Sequence, residues 1–223
     1  MGHLSDRINQ LIENYFSQPA AKEELEGEKT YYLIVGLGNP GREYQLNRHN
    51  VGFMLLDSLA SRLGVTFSRV ESKALVTKAE YNGRKLILAK PQTYMNLSGQ
   101  AVVSLVNFYK IPLEHLMIVY DDVDLPLGTI RIRTNGGSAG QKGMASVLEC
   151  LGTQEVPRLR IGIHRPPGRM GAASYVLHDF SPAEQETMQS TMERAIEAVL
   201  TFISEDLVTA MNRYNSSGGS RGA

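Results

Sequence analysis

Residues 31–41 read YYLIVGLGNPG, and this stretch decides the fold of the chain. Its first part is a continuous apolar run at residues 32–35, which is typical of a strand buried on both faces. Its second part has three glycines at the G-x-G-x-x-G spacing of a dinucleotide-binding loop. A polar trio, Arg48, His49 and Asn50, follows shortly afterwards, although a phosphate-binding loop does not need it. The stretch therefore predicts a buried strand that leads into either a cofactor loop or a hydrolytic centre.

The residues around the glycines argue against a cofactor loop. In a dinucleotide site a helix begins within the loop, and an acidic residue ends the next strand. Here no helical periodicity follows Gly41 until Val51. Asp57, the only acid at a suitable distance, lies inside the predicted helix. We therefore predict no cofactor, and we interpret the glycines as shaping a tight turn that presents Asn39.

The composition is that of an ordinary globular protein. The 223 residues are 42% hydrophobic and 21% charged, with no net charge. Cys150 is the single cysteine, which excludes an intrachain disulfide and a cysteine-based zinc site, and we predict no metal. No apolar stretch approaches a membrane span, and the N-terminus lacks the pattern of a secretion signal. We therefore predict no membrane partner and a cytoplasmic location.

The pattern of residue types divides the chain into three parts. Residues 1–30 hold six acidic and three basic residues, with apolar residues at helical spacing, and predict an acidic, amphipathic helical extension. Residues 31–214 predict the domain that carries the candidate site, and residues 215–223 predict a flexible tail. Beyond the extension there are 20 basic and 17 acidic residues, an excess too small to identify a nucleic-acid partner.

Strands and helices alternate from residue 31 onward. The predicted strands cover residues 32–35, 75–81, 85–89, 116–120, 129–133 and 159–163. The predicted helices cover residues 51–63, 99–109, 143–151, 182–203 and 207–214. Ser98 is expected to cap the second helix, and Asn82-Gly83 predicts a hairpin and so an antiparallel pair. Ser181-Pro182, with Glu184 after them, predict the start of the fourth helix. The pattern predicts an α/β fold, a single three-layer domain with a mixed, mostly parallel central sheet flanked by helices.

Residues 136–140 read GGSAG and match the G-x-S-x-G nucleophile elbow of serine hydrolases. That elbow turns directly from a buried strand into a helix, whereas two polar residues and two glycines precede Ser138 here. Histidines and a glutamate follow Ser138 in the chain, so residue order alone does not exclude a triad. We favour a glycine-rich loop that approaches a ligand.

Four polar residues form a different candidate centre. Asn39 follows the first strand, and Asp121 directly follows the strand of residues 116–120. If these strands are parallel neighbours, both residues lie at the carboxyl edge of the sheet, where α/β domains bind ligands. Asn96 precedes a helix, and His49 is the imidazole near Asn39. A His–Asp pair with amides suits hydrolysis by activated water, although each residue alone also has an ordinary structural explanation.

Six motifs, in this order, resemble those of the bacterial-type peptidyl-tRNA hydrolases. They are GLGNPG at 36–41, RHNVG at 48–52, KPQTYMNLSG at 90–99, DDVDLPLG at 121–128, GGSAG at 136–140 and PRLRIGI at 157–163. Order and spacing hold over residues 32–214. The resemblance implies an esterase that hydrolyses the bond between peptide and tRNA in peptidyl-tRNAs released prematurely from ribosomes, and so recycles tRNA.

The resemblance also implies roles for the four polar residues. His49 would be the general base that activates water, and Asp121 would stabilise its working form. Asn39 would distinguish peptidyl-tRNA from unblocked aminoacyl-tRNA through the first amide of the peptide. Asn96 would lie near the scissile carbonyl.

Further residues would bind the tRNA acceptor stem and 3′ end, the partner that the resemblance implies. Tyr44 and Tyr94 would line the substrate site, and Arg133 and Arg160 would clamp the 5′-phosphate with their forked donors. Recognition would depend on phosphate and stem shape more than on bases. We expect the enzyme to act as a monomer.

The chain departs from the family pattern after the GGSAG loop. Gln141-Lys142 stands where the family usually has His-Asn. Our hypothesis is that Lys142 pairs with a phosphate or the terminal ribose, and the alternative is that the change weakens turnover.

The competing interpretation is a non-catalytic RNA-binding relative, similar to chloroplast splicing factors of this family. The joint presence of Asn39, His49, Asn96 and Asp121 favours hydrolysis, because a binding protein needs neither a base nor its carboxylate.

Overall fold

A computed structural model describes residues 30–215 of the chain. The predicted helical extension of residues 1–30 and the predicted flexible tail of residues 215–223 fall outside the described residues, apart from Thr30 and Asn215. Both therefore stay predictions.

Seven strands of the described domain form one sheet. They are β1 Tyr31–Gly36, β2 Arg69–Glu71, β3 Ala74–Tyr81, β4 Arg84–Pro91, β5 Leu116–Asp122, β6 Ile130–Arg133 and β7 Arg158–Gly162. Their order across the sheet is β2-β3-β4-β1-β5-β7-β6. The central strands β4, β1, β5 and β7 are parallel neighbours, whereas β2–β3, β3–β4 and β6–β7 pair antiparallel. This confirms the predicted mixed sheet, in which five of the seven strands run in one direction.

Helices cover both faces of the sheet. They are α1 Val51–Arg62, α2 Ser98–Tyr109, α3 Lys142–Leu151, α4 Ala172–Tyr175, α5 Pro182–Ser204 and α6 Leu207–Tyr214. Apolar residues of α1, α5 and α6 share one buried cluster with one face of the sheet. Those of α2 and α3 share a second cluster with the other face. The predicted three-layer α/β domain is therefore confirmed.

Two helix starts test the capping predictions. Ser181 caps α5 through a capping box with Glu184, and Pro182 is the first helical residue, as the sequence predicts. Ser98, by contrast, is not the cap of α2. It is the first residue of the helix, and its hydroxyl donates to the Met95 carbonyl at 2.8 Å. The prediction was wrong because a 3₁₀ turn at Met95–Leu97 leads into α2 without an extended cap residue.

The glycines after β1 allow elements to approach closely. A Cβ on Gly36 would overlap the Gly52 carbonyl in α1, and a Cβ on Gly52 would lie 2.5 Å from the Val119 carbonyl oxygen of β5. Gly38 packs against the Phe53 ring, and Gly41 has a positive φ of 123°. Close packing thus explains the first two glycines better than a tight turn does. It places the start of α1 against the carboxyl edge of the sheet.

Candidate active site

A cleft of about 980 Å³ opens at the carboxyl edge of β1 and β5. Because β1 and β5 are parallel neighbours, Asn39, which follows β1, and Asp121, near the end of β5, meet at this edge, as predicted. The cleft brings together six of the nine predicted site residues, which are Asn39, His49, Tyr94, Asn96, Asp121 and Lys142.

A histidine–carboxylate pair lies in this cleft. The Nδ1 atom of His49 is 2.9 Å from both carboxylate oxygens of Asp121. Asp121 is the sixth residue of β5 and is 3% exposed. His49 lies in the 3₁₀ turn Arg48–Asn50, and its backbone N–H donates to the Val176 carbonyl at 2.8 Å. With Nδ1 committed to Asp121, Nε2 is the ring nitrogen left for a molecule in the cleft.

Asn39 is held so that its amide donor is left available. Its backbone N–H donates to Asn50 Oδ1 at 2.8 Å, and the Asn50 Nδ2 returns a bond to the Asn39 carbonyl at 2.9 Å. The Met95 N–H donates to Asn39 Oδ1 at 2.9 Å, which assigns the orientation of the amide. No partner of Asn39 Nδ2 occurs among residues 30–215. The sequence shows Asn50 as part of a polar trio but does not predict that it holds the backbone of Asn39.

Tyr94 and Asn96 line the cleft from the loop before α2. Tyr94 is 64% exposed, and Asn96 is also exposed, in the 3₁₀ turn Met95–Leu97. Met95 between them is buried, so the turn is anchored in the core while its neighbours face outward. The two side chains are therefore available to a substrate.

The N-terminus of α3 forms another wall of the cleft. Gln141 is the cap residue, and its Oε1 accepts the Met144 N–H at 2.7 Å. Its Nε2 donates to Asp121 Oδ1 at 3.1 Å. Lys142 is exposed at the cleft and makes no hydrogen bond or ion pair within the described part of the chain. Sequence reasoning weighed Lys142 alone, although the position of Gln141 directly before a predicted helix was a signal for a cap.

Three predicted substrate residues do not line the cleft. Tyr44 lies in the 3₁₀ turn Arg42–Tyr44 and is half-buried. Arg133 is exposed at the end of β6, in register with the first residue of β7, and so lies toward the amino ends of the parallel strands. Arg160 forms an ion pair with the buried carboxylate of Asp122. Arg133 has no ion-pair partner among the described residues.

One wall of the cleft was missed in the sequence. It is formed by the loop and short helix after β7, with Arg165, Pro166, Gly168, Met170, Ala172, Ala173, Val176 and Leu177 as lining residues. The Arg165 guanidinium pairs with Asp124 across the cleft mouth at 2.6 Å. The signal available was the proline- and glycine-rich run RPPGR at residues 165–169.

Arg48 joins this wall to the 3₁₀ turn Arg48–Asn50, which carries His49. It is 6% exposed and donates to the carbonyls of His178 and Asp179 at 3.0 and 2.6 Å, and it pairs with Glu184 at 2.7 Å. Its guanidinium carbon lies 4.3 Å from the centre of the Tyr175 ring. The neighbour of His49 is thus a buried anchor.

Ser138 lines the cleft, but its surroundings are not those of a nucleophile elbow. Residues 134–141 separate β6 from α3, and Ser138 Oγ makes no hydrogen bond to a histidine in the described domain. Buried Arg158 holds the loop by donating to the carbonyls of Gly136 and Gly137 at 2.6 and 3.0 Å. The rejection of the elbow is confirmed, and the loop is a wall of the cleft.

Within residues 30–215, no three histidine, cysteine or acidic side chains lie where they could hold a metal ion together. None of the helices there has both the length and the apolar character that crossing a membrane requires.

Fold and site together define an α/β protein of hydrolase type, with a histidine paired to a buried carboxylate at the carboxyl edge of its sheet. The sequence profile of one family, peptidyl-tRNA hydrolase, matches residues 33–221. The chain therefore belongs to the peptidyl-tRNA hydrolase family. This confirms the family, the fold class and the enzyme class predicted from the motifs.

Similar proteins cover nearly the whole length of the domain. The peptidyl-tRNA hydrolase of Chloroflexus aurantiacus is 50% identical over 185 residues, which are 82% of this chain and 98% of the relative. That of Carboxydothermus hydrogenoformans is 48% identical over 188 residues, 84% of this chain and 100% of the relative. The crystal structure of the Acinetobacter baumannii peptidyl-tRNA hydrolase has a TM-score of 0.78 at 34% identity, covering 84% of this chain and 96% of that one.

Proposed function

We propose that the chain hydrolyses the ester between peptide and tRNA in peptidyl-tRNA, with a water molecule activated by His49. The observation that carries the mechanism is the contact of His49 Nδ1 with both oxygens of Asp121 at 2.9 Å. It fixes the tautomer with Nε2 free to accept a proton. Family membership supports the substrate, since the relatives carry the name peptidyl-tRNA hydrolase.

The reaction divides into two steps around one proton. His49 Nε2 takes a proton from water as the oxygen attacks the ester carbonyl carbon, and the carbonyl oxygen becomes an oxyanion. Asp121 stabilises the imidazolium that forms. The carbon–oxygen bond to the ribose then breaks, and the imidazolium returns the proton to the ribose oxygen. The products are a free hydroxyl on the tRNA and the peptide carboxylic acid, which releases its proton to the solvent as a carboxylate.

The side-chain amides of Asn96 and Asn39 supply donors to the substrate. Asn96 lines the cleft, which supports our assignment of its amide as a donor to the developing oxyanion. Asn39 Nδ2 is available to the carbonyl of the first peptide amide, because its Oδ1 is already occupied by the Met95 N–H. An aminoacyl-tRNA without a blocking group lacks that carbonyl, so Asn39 favours the peptidyl substrate.

The tRNA is held by cations inside and outside the cleft. Lys142 brings a free positive charge to the N-terminus of α3, where the helix dipole also favours an anion. Arg133 is exposed and free to bind a phosphate. Arg160 is compensated by Asp122, so it contributes less net charge than Arg133. Tyr94, exposed at the cleft, offers a ring on which a base of the 3′ end stacks. We also propose that the protein acts in the cytoplasm and as a monomer.

The deciding experiment compares hydrolysis of a purified N-blocked aminoacyl-tRNA with its unblocked form. The wild-type chain is expected to cleave the blocked form preferentially. His49→Ala should lower the rate by about 10²–10⁴-fold, because the general base is lost. Near wild-type turnover in this variant would refute the mechanism.

Binding must be measured beside turnover. Retained tRNA binding with no hydrolysis by the wild type would instead support the non-catalytic RNA-binding relative. Loss of activity in Ser138→Ala alone would reinstate the nucleophile elbow.

A further inference from the structure

Gln141 joins the N-terminus of α3 to the catalytic carboxylate. We propose that Gln141 is a positioning residue, whose amide fixes Asp121 and through it the tautomer and orientation of His49. The proposal deepens the hydrolytic function above and rests on it for its kinetic consequences. Its structural claim concerns the free protein.

The contact with Asp121 is made where water has little access. The Asp121 side chain is 2% exposed, and its Oδ1 receives both His49 Nδ1 at 2.9 Å and Gln141 Nε2 at 3.1 Å. A carboxylate in such a place needs donors, since its lost hydration is otherwise uncompensated. An amide donor satisfies the oxygen without adding a positive charge. The full negative charge of Asp121 therefore remains available to the imidazolium.

The helix cap determines which end of the Gln141 amide faces Asp121. Its Oε1 accepts the Met144 N–H at 2.7 Å, so the amide group has its acceptor turned toward α3 and its donor toward the carboxylate. A flipped amide would place oxygen against the Asp121 carboxylate and NH₂ against the Met144 N–H, and both contacts would be repulsive. The backbone of α3 thus orients the donor.

Gln141 also contacts the residue that braces Asn39. Its Nε2 lies 3.4 Å from Met95 Sδ, and the Met95 N–H donates to Asn39 Oδ1 at 2.9 Å. Gln141 therefore contacts both Asp121, which holds His49, and Met95, which holds the side chain of Asn39. The other charged residues that line the cleft are Asp122, Asp124, Lys142 and Arg165. Within the described domain, none of these four is hydrogen-bonded to His49 or Asp121.

Two substitutions separate positioning from capping. Gln141→Asn keeps a neutral amide that caps α3 but is one methylene too short to reach Asp121. Gln141→Glu keeps the cap acceptor but presents a carboxylate oxygen to Asp121 in place of the donor. Gln141→Asn should melt close to the wild type, because it retains a side-chain acceptor for the helix start. Gln141→Glu should melt lower, because its carboxylate faces that of Asp121 where water has little access. Gln189→Glu, an exposed change on α5 outside the cleft, is the matched control for charge.

Nitrogen-15 NMR of the His49 ring in the substrate-free protein reads the proposal without the reaction. In Gln141→Asn we expect a smaller population of the Nδ1–H tautomer, because Asp121 is less constrained. In Gln141→Glu we also expect altered ring signals, because a carboxyl group replaces the amide donor to Asp121. Gln189→Glu should leave the His49 signals unchanged. Identical His49 signals in the wild type and both Gln141 variants would overturn the proposal.

Kinetics then connects the positioning role to the reaction. For both variants kcat should fall at least about tenfold at pH 8, equivalent to about 1.4 kcal/mol, with KM for the blocked aminoacyl-tRNA little changed. A role in capping alone predicts wild-type kcat wherever the melting temperature is retained, and that result would also contradict the proposal. An inactive wild type would refute the proposed function, whereas the NMR comparison would still decide the role of Gln141.

Discussion

Three amide side chains, those of Asn39, Asn50 and Gln141, hold the groups around His49, and each is fixed through its own donor or acceptor. Asn50 accepts from the Asn39 backbone and donates back to it, and Gln141 spans a helix cap and Asp121. An amide suits such bracing because it carries a donor and an acceptor and stays neutral over the working pH range. At the residue scale, the His49–Asp121 pair thus depends on neutral amide neighbours for its geometry.

Asn39→Asp tests the donor that Asn39 offers to the cleft. The aspartate keeps an oxygen for the Met95 N–H but replaces the Nδ2 donor with a second acceptor. We expect a loss of roughly 10- to 100-fold in kcat/KM for blocked aminoacyl-tRNA, since an unmatched polar contact costs about 1–3 kcal/mol. The preference for blocked over unblocked substrate should fall by a similar factor.

The matched control for Asn39→Asp is its bracing partner, Asn50→Asp. This variant removes the Nδ2 bond to the Asn39 carbonyl but leaves the Asn39 side chain intact. It should lower the melting temperature more than the substrate preference. An Asn39→Asp enzyme that still prefers blocked substrate as strongly as the wild type would contradict the assigned role.

At the scale of elements, the position of the turn Arg48–Asn50 depends on how closely α1 approaches the sheet. Gly52→Ala would place a Cβ 2.5 Å from the Val119 carbonyl oxygen and 2.6 Å from the Leu37 nitrogen, both backbone atoms. We expect the free energy of unfolding to fall by about 1–3 kcal/mol. The melting temperature should fall by roughly 2–4 °C for each kcal/mol lost. Thermal unfolding followed by circular dichroism measures it.

A second glycine provides the comparison for Gly52. A Cβ on Gly137 would meet no heavy atom within 4 Å, and its φ is not in the left-handed region. Gly137→Ala should therefore melt within about 1 °C of the wild type, because surface changes of this kind stay within about 0.5 kcal/mol. Equal effects of the two substitutions would show that close approach is not what Gly52 provides.

The ion pair between Arg48, in the turn before α1, and Glu184, in α5, makes the stability of the fold depend on pH. Burial alone raises the pKa of Glu184, but hydrogen bonds from the Ser181 backbone and from Arg48 outweigh it and hold the pKa below its ordinary value. A depressed carboxyl pKa stabilises the fold above the unfolded value of about 4.3. This contribution is lost as the pH falls through the lower folded value.

Glu184→Gln measures that contribution. The glutamine keeps an acceptor for Ser181 and Arg48 but carries no charge. The variant should be less stable than the wild type near pH 7, and the difference should shrink as the pH falls from about 5 to 3. Urea unfolding at a series of pH values measures it. A difference independent of pH would mean that the charge of Glu184 adds nothing to the stability of the fold.

At the scale of the whole molecule, Arg133 lies toward the edge of the sheet opposite the cleft, so the tRNA contact proposed for Arg133 would lie outside the cleft. Arg133→Gln should weaken binding of every tRNA by a similar factor, since a phosphate contact carries no base information. It should also reduce the slope of log affinity against log salt by about 0.7–0.9. Hydrolysis of a blocked aminoacyl ester of adenosine alone should be unchanged.

Arg84 offers a matched exposed arginine for this test. It begins β4 at the β3–β4 hairpin, away from β6 in the strand order. Arg84→Gln should leave both the affinity and its salt dependence near the wild-type values. If the two variants behaved alike, a general effect of charge would replace the specific phosphate contact.

Local signals were enough for the parts of the domain whose pattern is self-contained. The apolar run before Gly36, the Asn82-Gly83 hairpin and the Ser181 capping box each predict their element from neighbouring residues. The strand β2 and the helix α4 were missed because they have only three and four residues. Such short elements form through contacts with the rest of the fold, which periodicity cannot show.

The sequence by itself determined the layered α/β domain, and it predicted that His49, Asp121, Asn39 and Asn96 meet at the carboxyl edge of the sheet, where they line one cleft. It could do so because strand ends and motif spacing are local properties. Only the tertiary structure decided that Gln141 shares Asp121 with His49, that Arg48 anchors the wall after β7, and that Arg160 is paired with Asp122. These contacts join residues 20, 131 and 38 positions apart. They arise from the order of strands in the sheet, because that order decides which distant residues become neighbours.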